Sequence, residues 1–195
     1  MEAHVKVAVL GDPGGLGGRI ASEFGSSAMG LSEDVPADCD GVVIVVGTDP
    51  APAGRDLTEV TGGQWRDAAE QAPWRALCAL QRARDAVLSR NGHIVVITPT
   101  VGLVGAAGMT PYVTGIEAVR AMVKSAARQW AHERISVSQI AIPLGLLVTV
   151  PEPAPDMATV SPFPTANIAL TFAAALIVSV QALVPEQLPC HPVKK

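Results

Sequence analysis

The residue of this chain best suited to acid–base chemistry is Tyr112, the single tyrosine in the sequence. A phenol exchanges its proton near neutral pH only if its pKa, about 10 in water, is lowered by its surroundings. The usual device is a lysine one helical turn further on, on the same face of the helix. Here the position four residues after Tyr112 is Ile116. The sequence supplies the acid–base group without the cation that would activate it.

The other polar groups near Tyr112 do not replace that cation. Arg120 lies about 12 Å along the predicted helix at 1.5 Å per residue, and Lys124 is farther still. The threonines on either side of Pro99 are candidate hydroxyl groups, but alternation along a strand points both away from the side that position 99 faces. A turn after the strand would relax that rule for Thr100. Tyr112 and Thr100 are therefore the candidate catalytic residues.

The elements that would position these residues follow an alternating pattern of strands and helices. Apolar runs typical of buried strands occur at 5–10, 42–46, 93–97 and 135–142, with a weaker strand at 187–195. Helical stretches are predicted at 19–24, 65–89 (disturbed at Pro73), 112–132 and 168–184. Residues 102–109 and 151–164 are predicted as loops. This alternation predicts an α/β fold with a parallel sheet covered on both faces, as a single domain over residues 1–195.

Composition and charge exclude several functions. The net charge is −4 without a basic stripe, so nucleic-acid binding has no electrostatic basis. The three scattered cysteines and four histidines show neither a disulfide framework nor metal-ligand spacing, so no metal site is predicted. In the absence of a signal-peptide pattern, we expect a cytoplasmic protein with reduced thiols.

One apolar stretch needs a separate interpretation. Residues 168–184 run for seventeen positions without a charge, which is at the short limit for crossing a bilayer, and they lack flanking aromatic or basic anchors. We interpret this stretch as a buried or interface helix and expect no membrane association.

Several segments, in this order, resemble the short-chain dehydrogenase/reductase family over nearly the whole chain. The turn at 10–17, Leu-Gly-Asp-Pro-Gly-Gly-Leu-Gly, is similar to the family's Thr-Gly-x-x-x-Gly-Ile-Gly cofactor loop. The strand at 40–47 occupies the place of the strand that ends in Asn-Asn-Ala-Gly, and Trp65 resembles the tryptophan that often begins the next helix. The strand and loop at 94–105 match the segment that carries the catalytic serine, and 135–143 resembles the strand ending in Pro-Gly, with Leu144 in place of that glycine. The resemblance implies a Rossmann-like, doubly wound parallel sheet.

The same resemblance implies that most of the catalytic machinery is lost. The family uses a tetrad of Asn, Ser, Tyr and Lys, in which the tyrosine transfers the proton. The corresponding positions here are Ala72, Pro99, Tyr112 and Ile116. Three of the four polar groups are replaced, so whether the chain is an enzyme stays open, and we expect it to be inactive alone.

The cofactor site is reduced as well. Gly11, Gly15 and Gly17 would be the vestigial cofactor-binding residues. Asp12 places a carboxylate where a pyrophosphate needs positive potential, and Pro13 removes an amide donor. The interval from Gly17 to the next buried strand is too short for the second and third strands of a complete dinucleotide fold. We expect a truncated sheet and no tight binding of NAD(P), the ancestral cofactor.

The helices that form subunit contacts in this family are retained. Those beginning near Trp65 and Tyr112 carry apolar faces, with Ala76, Leu77, Leu80 and Ala83 on the first and Val119, Met122, Val123 and Ala126 on the second. One interpretation is that these faces only pack against the chain's own sheet. The low charged fraction, 16%, favours assembly as a hetero-oligomer with a catalytic subunit of the family or as a homodimer.

Three functions remain as alternatives. The first is a non-catalytic subunit that supports an active oxidoreductase of the family acting on β-hydroxy- or β-ketoacyl-type substrates. The second is an enzyme that uses Tyr112 as an acid or base in oxidoreduction, cyclisation, isomerisation or dehydration, with a ligand pocket lined by Tyr112, Thr100 and Ile116. The third, ordinary NAD(P)-dependent reduction at a repaired site, is the least favoured.

Overall fold

The strands form one parallel sheet. The computed structural model describes residues 5–48 and 54–143. Within these ranges four strands lie side by side in the order β1-β2-β3-β4. They are β1 (Val7–Leu10), β2 (Gly41–Val45), β3 (His93–Pro99) and β4 (Ser136–Ile142). The predicted parallel sheet is confirmed.

Helices connect consecutive strands. They are α1 (Leu16–Glu23), α2 (Gly62–Trp65), α3 (Ala72–Val87), α4 (Val101–Val104) and α5 (Thr110–Trp130). The prediction of a loop throughout 102–109 is wrong at its start, because the chain leaves β3 through the single helical turn of α4. Across the described ranges, none of the helices combines the length and the apolar character that a bilayer span requires. The predicted loop at 151–164, helix at 168–184 and strand at 187–195 lie outside the described residues.

The long helix predicted at 65–89 is interrupted. A π-helical segment, Arg66–Gln71, separates α2 from α3. Pro73 lies in the first turn of α3, directly after the π-helical segment, and has no N–H to donate to a carbonyl of that segment. The ring of a proline excludes the carbonyl group four residues earlier from its normal position, so the wider turn before Pro73 is a physical consequence of the sequence.

The two faces of the sheet are covered by different helices. Side chains alternate along each strand, and Leu10, Ile44 and Val96 share a buried cluster with α3 and α5. The buried side chains of α1, Leu16 and Ala21, lie outside that cluster, as does Val9 of β1. α1 therefore packs on one face of the sheet, and α3 and α5 pack on the other. This is the doubly wound arrangement that the sequence predicts.

The predicted loss of two strands is confirmed for the described residues. Between α1 and β2 the chain makes a single parallel bridge, which pairs Met29 with Leu10 of β1. Around this bridge, the Met29 N–H donates to the Val9 carbonyl at 2.9 Å, and the Gly11 N–H donates to the Met29 carbonyl at 2.7 Å. One residue thus stands beside β1 where a complete dinucleotide fold has its second strand.

After this bridge the chain passes around the outer edge of β1 to the opposite face. Leu31 and Val35 pack against the cluster shared with α3, and the Arg82 guanidinium of α3 donates to the Leu31 carbonyl. Cys39 is buried, and its N–H donates to the carbonyl of Ala86 at 2.9 Å. Burial raises the pKa of the Cys39 thiol. Residues 26–40 therefore carry the chain from the α1 face to the α3 face before β2 begins.

Candidate functional site

Three positions identified from the sequence meet a glycine at one edge of the sheet. Gly47 follows β2, Pro99 ends β3, and Tyr112 and Ile116 lie in the first turns of α5. A Cβ atom built on Gly47 would lie 3.2 Å from the Tyr112 hydroxyl and 3.3 Å from Cδ of Pro99, and it would overlap Cδ1 of Ile116. The carboxyl ends of parallel strands are where open α/β sheets bind ligands. We name this group of four residues the tetrad edge.

Tyr112 is held by the backbone of the β2 exit. Pro111 lies in the first turn of α5, where proline favours helix initiation, and this sets Tyr112 at the beginning of the helix. The Tyr112 hydroxyl donates a hydrogen bond to the carbonyl oxygen of Gly47. Gly47 has φ +73°, in the left-handed region that favours glycine. The hydroxyl therefore links α5 to the end of β2.

Ile116 fills the position at which a lysine would activate the tyrosine. Its side chain is 2% exposed. It packs between two glycines, Gly47 and Gly102, and a Cβ atom on Gly102 would lie 2.7 Å from Cγ2 of Ile116. An ammonium group here would be buried, which is costly unless a charged group pairs with it. The position is apolar and closed to solvent.

Of the two threonines beside Pro99, Thr98 points in the direction that strand alternation predicts. The Thr98 side chain is 1% exposed, and its hydroxyl accepts a hydrogen bond from Nε2 of Gln139 at 2.7 Å, on the α3 side of the sheet. Thr100 directly precedes α4, and its N–H donates to the carbonyl of Ile142 at 2.7 Å. The participation of Thr100 in chemistry stays a prediction.

Ala72, at the asparagine position of the family, is the first residue of α3. The π-helical segment before it packs tightly on α5, because a Cβ atom on Gly115 would overlap the carbonyl oxygen of Ala68. This close approach of two backbones was not evident from the sequence. The signal that would have indicated it is Gly115 itself, a glycine in a helix interior, where it weakens the helix unless packing requires it.

The glycines of the turn after β1 are required by the packing of α1 on the sheet. A Cβ atom on Gly11 would overlap the Val45 carbonyl oxygen, and one on Gly17 would overlap the carbonyl oxygen of Gly11. Gly11 also has φ +86°. By contrast, a Cβ atom on Gly14 would meet nothing within 4 Å. Gly11 and Gly17 are therefore explained by the fold, with or without a bound cofactor.

Asp12 turns its carboxylate into that same turn. Its oxygen Oδ2 accepts a hydrogen bond from the N–H of Leu16, the first residue of α1, at 2.8 Å. The same oxygen accepts from the hydroxyl of Thr48 at 2.9 Å. A Cβ atom on Gly15 would lie 2.5 Å from it. Sequence reasoning placed a negative charge in this turn but missed its inward direction and its bond to Thr48.

A shallow groove lies on the outer side of the helix pair α3 and α5. It is lined by Leu77, Leu80, Ala121, Met122, Ser125, Ala126, Gln129 and Trp130. Most residues of the predicted apolar helix faces are buried in the chain's own core: Ala76, Leu80, Ala83, Val119, Val123 and Ala126. Leu77 and Met122 remain half-buried at the groove, and Trp74 on α3 is 65% exposed. Packing against the chain's own sheet therefore accounts for most, but not all, of these apolar faces.

Comparison with known proteins identifies the family. The family model described as enoyl-(acyl carrier protein) reductase matches residues 26–150, more than half of the chain. The chain therefore belongs to the short-chain dehydrogenase/reductase family. No curated protein matches the sequence.

Solved structures share the fold at low sequence identity. A short-chain oxidoreductase from Pseudomonas aeruginosa PAO1, described as containing an atypical catalytic center, is similar with a TM-score of 0.58 and 16% identity over 71% of this chain and 70% of that chain. An oxidoreductase from Escherichia coli K-12, described as putative, is similar with a TM-score of 0.57 and 15% identity over 70% of this chain and 74% of that chain. For sorbitol-6-phosphate 2-dehydrogenase from Erwinia amylovora, the TM-score is 0.48 and the sequence identity is 18%. This match covers 54% of this chain and 41% of that chain. The chain spans less than half the length of the last enzyme.

Proposed function

We propose that this chain is a non-catalytic member of its family that assembles with a catalytic subunit of the same family. It would support the structure or the substrate pocket of that subunit. The description of the matching family model names a reductase whose substrate is carried on acyl carrier protein. This description supports a partner that acts on an acyl group bound to a carrier, and we propose a β-hydroxy- or β-ketoacyl group as that substrate.

The observation that carries the proposal is the closed tetrad edge around Ile116. Transfer of a proton by a tyrosine needs a group that stabilises the phenolate, and the residue that occupies that place is 2% exposed and apolar. The Tyr112 hydroxyl donates to the Gly47 carbonyl, and a phenolate cannot make this bond. Neither of these two contacts supplies a group that would stabilise a phenolate.

The cofactor side of the chain supports the same proposal. The residue that reads the adenosine ribose belongs at the end of a second strand, and in the described chain only the Met29 bridge stands there. Asp12 brings a carboxylate to the turn where a pyrophosphate would bind.

The outer side of α3 and α5 is the surface that we propose for assembly. Trp74 is 65% exposed, and aromatic residues are enriched in the centres of protein interfaces. The groove lined by Leu77, three residues after Trp74 on α3, is mostly apolar, whereas Lys124 and Arg128 are exposed along α5. A partner helix with an apolar stripe and flanking carboxylates would fit this surface.

Co-expression with an intact homologue, followed by size-exclusion chromatography and light scattering, tests the assembly. We expect a stable complex that Trp74→Asp weakens by at least about tenfold, because the substitution replaces an exposed aromatic side chain of the proposed interface by a charge. Leu57→Asp is the matched control, since Leu57 is 63% exposed but lies outside α3 and α5. A stable monomer that binds none of the homologues would refute this part of the proposal. A homodimer weakened by Trp74→Asp would replace the hetero-oligomer by a second copy of the chain.

Isothermal titration with NADH and NADPH tests the loss of the cofactor. We expect no binding tighter than about 1 mM for the isolated chain. Tighter binding, especially with turnover of a ketoacyl substrate, would restore the third alternative, in which the chain is an ordinary reductase.

One observation keeps a second candidate function open. Tyr112 is only half-buried and lies at the edge of the sheet where ligands bind in this fold class. An enzyme that uses Tyr112 as an acid or base without nicotinamide is the alternative. Any such activity must fall sharply in Tyr112→Phe, and an activity that survives this substitution unchanged would exclude Tyr112 as the acid or base.

A further inference from the structure

The feature that carries a further inference is the crevice between the turns that follow β1 and β2. α1 leaves β1 toward one face of the sheet, and α3 follows β2 on the other face. The turn at 11–15 and the residues Gly47 and Thr48 therefore form two opposing sides of a gap. In open α/β sheets, a pyrophosphate binds in such a gap, at the amino end of the first helix.

We propose that Asp12 is an internal anion that occupies this gap and closes it against phosphate. Its Oδ2 atom accepts from the first amide of α1 at 2.8 Å and from the hydroxyl of Thr48 at 2.9 Å. One oxygen is thus bound to both sides of the gap. The carboxylate therefore accepts the hydrogen bond from the Leu16 amide, at the positive end of α1, that a phosphate oxygen would otherwise accept. This inference rests on the proposed loss of cofactor binding and gives it a cause.

A simple helix cap does not account for the whole arrangement. A capping carboxylate needs only the amide of Leu16, whereas Asp12 also bonds Thr48, thirty-six positions along the chain. Asp12 adopts φ +48°, a left-handed conformation that is uncommon for a residue with a side chain. Gly15 leaves the space that the carboxylate fills, since a Cβ atom there would lie 2.5 Å from Oδ2. The left-handed backbone of Asp12, the space left by Gly15 and the hydroxyl of Thr48 therefore all fit this carboxylate.

A phosphate that entered the gap would have to displace Asp12. It would then meet a displaced negative charge within the same turn, at a distance where like charges repel strongly. Pro13, which follows Asp12, has no N–H to offer in compensation. The wild-type chain should therefore bind neither inorganic pyrophosphate nor the diphosphate of a nucleotide at this turn.

Three variants of the full chain distinguish the negative charge of Asp12, the space that its side chain fills and its hydrogen bond to Thr48. Asp12→Gly removes the carboxylate, and glycine accepts the left-handed backbone without strain. Asp12→Asn removes the charge and keeps a side-chain oxygen that can accept from Leu16. Thr48→Val removes only the bridge and leaves the carboxylate on the helix. Circular dichroism and thermal unfolding establish that each variant is folded before binding is measured.

The probe is inorganic pyrophosphate, titrated by calorimetry at constant ionic strength. We expect Asp12→Gly to bind it at least about tenfold more tightly than the wild-type chain, because the amide of Leu16 is released. Asp12→Asn should gain less, and Thr48→Val should gain little. The proposal is overturned if folded Asp12→Gly gains no affinity, or if the wild-type chain binds pyrophosphate as tightly as the variant does.

The outcomes also distinguish this inference from the proposed function. If the wild-type chain binds NADH tightly, the proposed function fails. If the wild-type chain binds no cofactor and Asp12→Gly still binds no pyrophosphate, the proposed function stands and the role of Asp12 is wrong. If Asp12→Gly binds pyrophosphate but not NADH, both stand, because the adenine side of the site lacks its second strand in the described chain.

Discussion

The glycine-rich turn after β1 and the tetrad edge differ in how far their residues depart from the pattern of the family. In the turn, Gly11 and Gly17 are retained, and each one touches the backbone of the fold. Of the four polar positions of the family's tetrad, three hold Ala72, Pro99 and Ile116 here, and the last two of these lie at the tetrad edge. Both regions serve catalysis in the family, but the residues retained in the turn are glycines that the packing of α1 on the sheet requires.

This difference shows how a sequence motif is to be interpreted. A glycine whose Cβ atom would overlap a carbonyl oxygen cannot be replaced without moving the backbone, whatever the protein does. A polar side chain whose only partners are a substrate and a cofactor can be replaced once that function is lost. The retained glycines are thus weak evidence for a cofactor, and the replaced tetrad is stronger evidence on chemistry.

The largest expected effect comes from restoring the lysine. Ile116→Lys places an ammonium group in a position that is 2% exposed, so we expect a loss of about 4 kcal/mol in the free energy of unfolding. Ile116→Met, which is apolar and of similar volume, should cost less than about 1.5 kcal/mol. Chemical denaturation measures both. A lysine that is tolerated as well as methionine would mean that the tetrad edge remains open to polar groups, and this would favour an enzyme that uses Tyr112.

The next effect tests the turn. Gly17→Ala would overlap the carbonyl oxygen of Gly11, and we expect a loss of about 3 kcal/mol in unfolding free energy. Gly14→Ala is the matched control, since a Cβ atom there meets nothing within 4 Å. It should change stability by less than about 0.5 kcal/mol. Equal stabilities of the two variants would show that the fold does not need the glycine at position 17.

A smaller effect concerns Tyr112. Tyr112→Phe keeps the ring and removes the hydrogen bond to Gly47, so we expect a loss of about 1 kcal/mol, measured by urea unfolding. Thr114→Val, at an exposed position of the same helix, is the control for loss of a hydroxyl group. If Tyr112→Phe is neutral, the hydroxyl has no structural role, and its retention would call for a chemical one.

The smallest expected effect is a pH dependence of the stability that Asp40 contributes. Asp40 lies at the opposite end of the sheet, so this effect is a control remote from both regions. The backbone N–H of Lys6 and the Arg90 guanidinium hold the pKa of Asp40 below its usual value. Because the folded-state pKa is lowered, this stabilisation is complete above the ordinary carboxyl pKa of about 4 and is lost as the pH falls through the folded-state value.

The comparison is between the wild-type chain and Asp40→Asn, each unfolded in urea from pH 6 down to pH 3. The difference between their urea midpoints should be greatest at pH 6 and should shrink as the pH falls. A difference that stays constant with pH would contradict the assignment of this stabilisation to the charged form of Asp40.

The local parts of the fold and site were predictable from the sequence. The spacing of Tyr112 and Ile116 fixes their neighbourhood because one helix carries both. The strands were predicted within a few residues from apolar runs, and the absence of a strand before β2 follows from too short an interval. The inward turn of Asp12 was not predictable, because it depends on a left-handed backbone and on Thr48, far along the chain. The helical turn of α4 was likewise missed.

The passage of residues 26–40 around β1 has a consequence for how the chain reaches its folded state. Each described strand pairs with the strand that precedes it in the chain, in the order β1-β2-β3-β4. The classic dinucleotide fold, in the order 3-2-1-4-5-6, must return to its first strand after two others have been laid on the far side. Shorter sequence separation between paired strands lowers contact order, and lower contact order is associated with faster folding. This sheet can grow one strand at a time as the ribosome releases the chain.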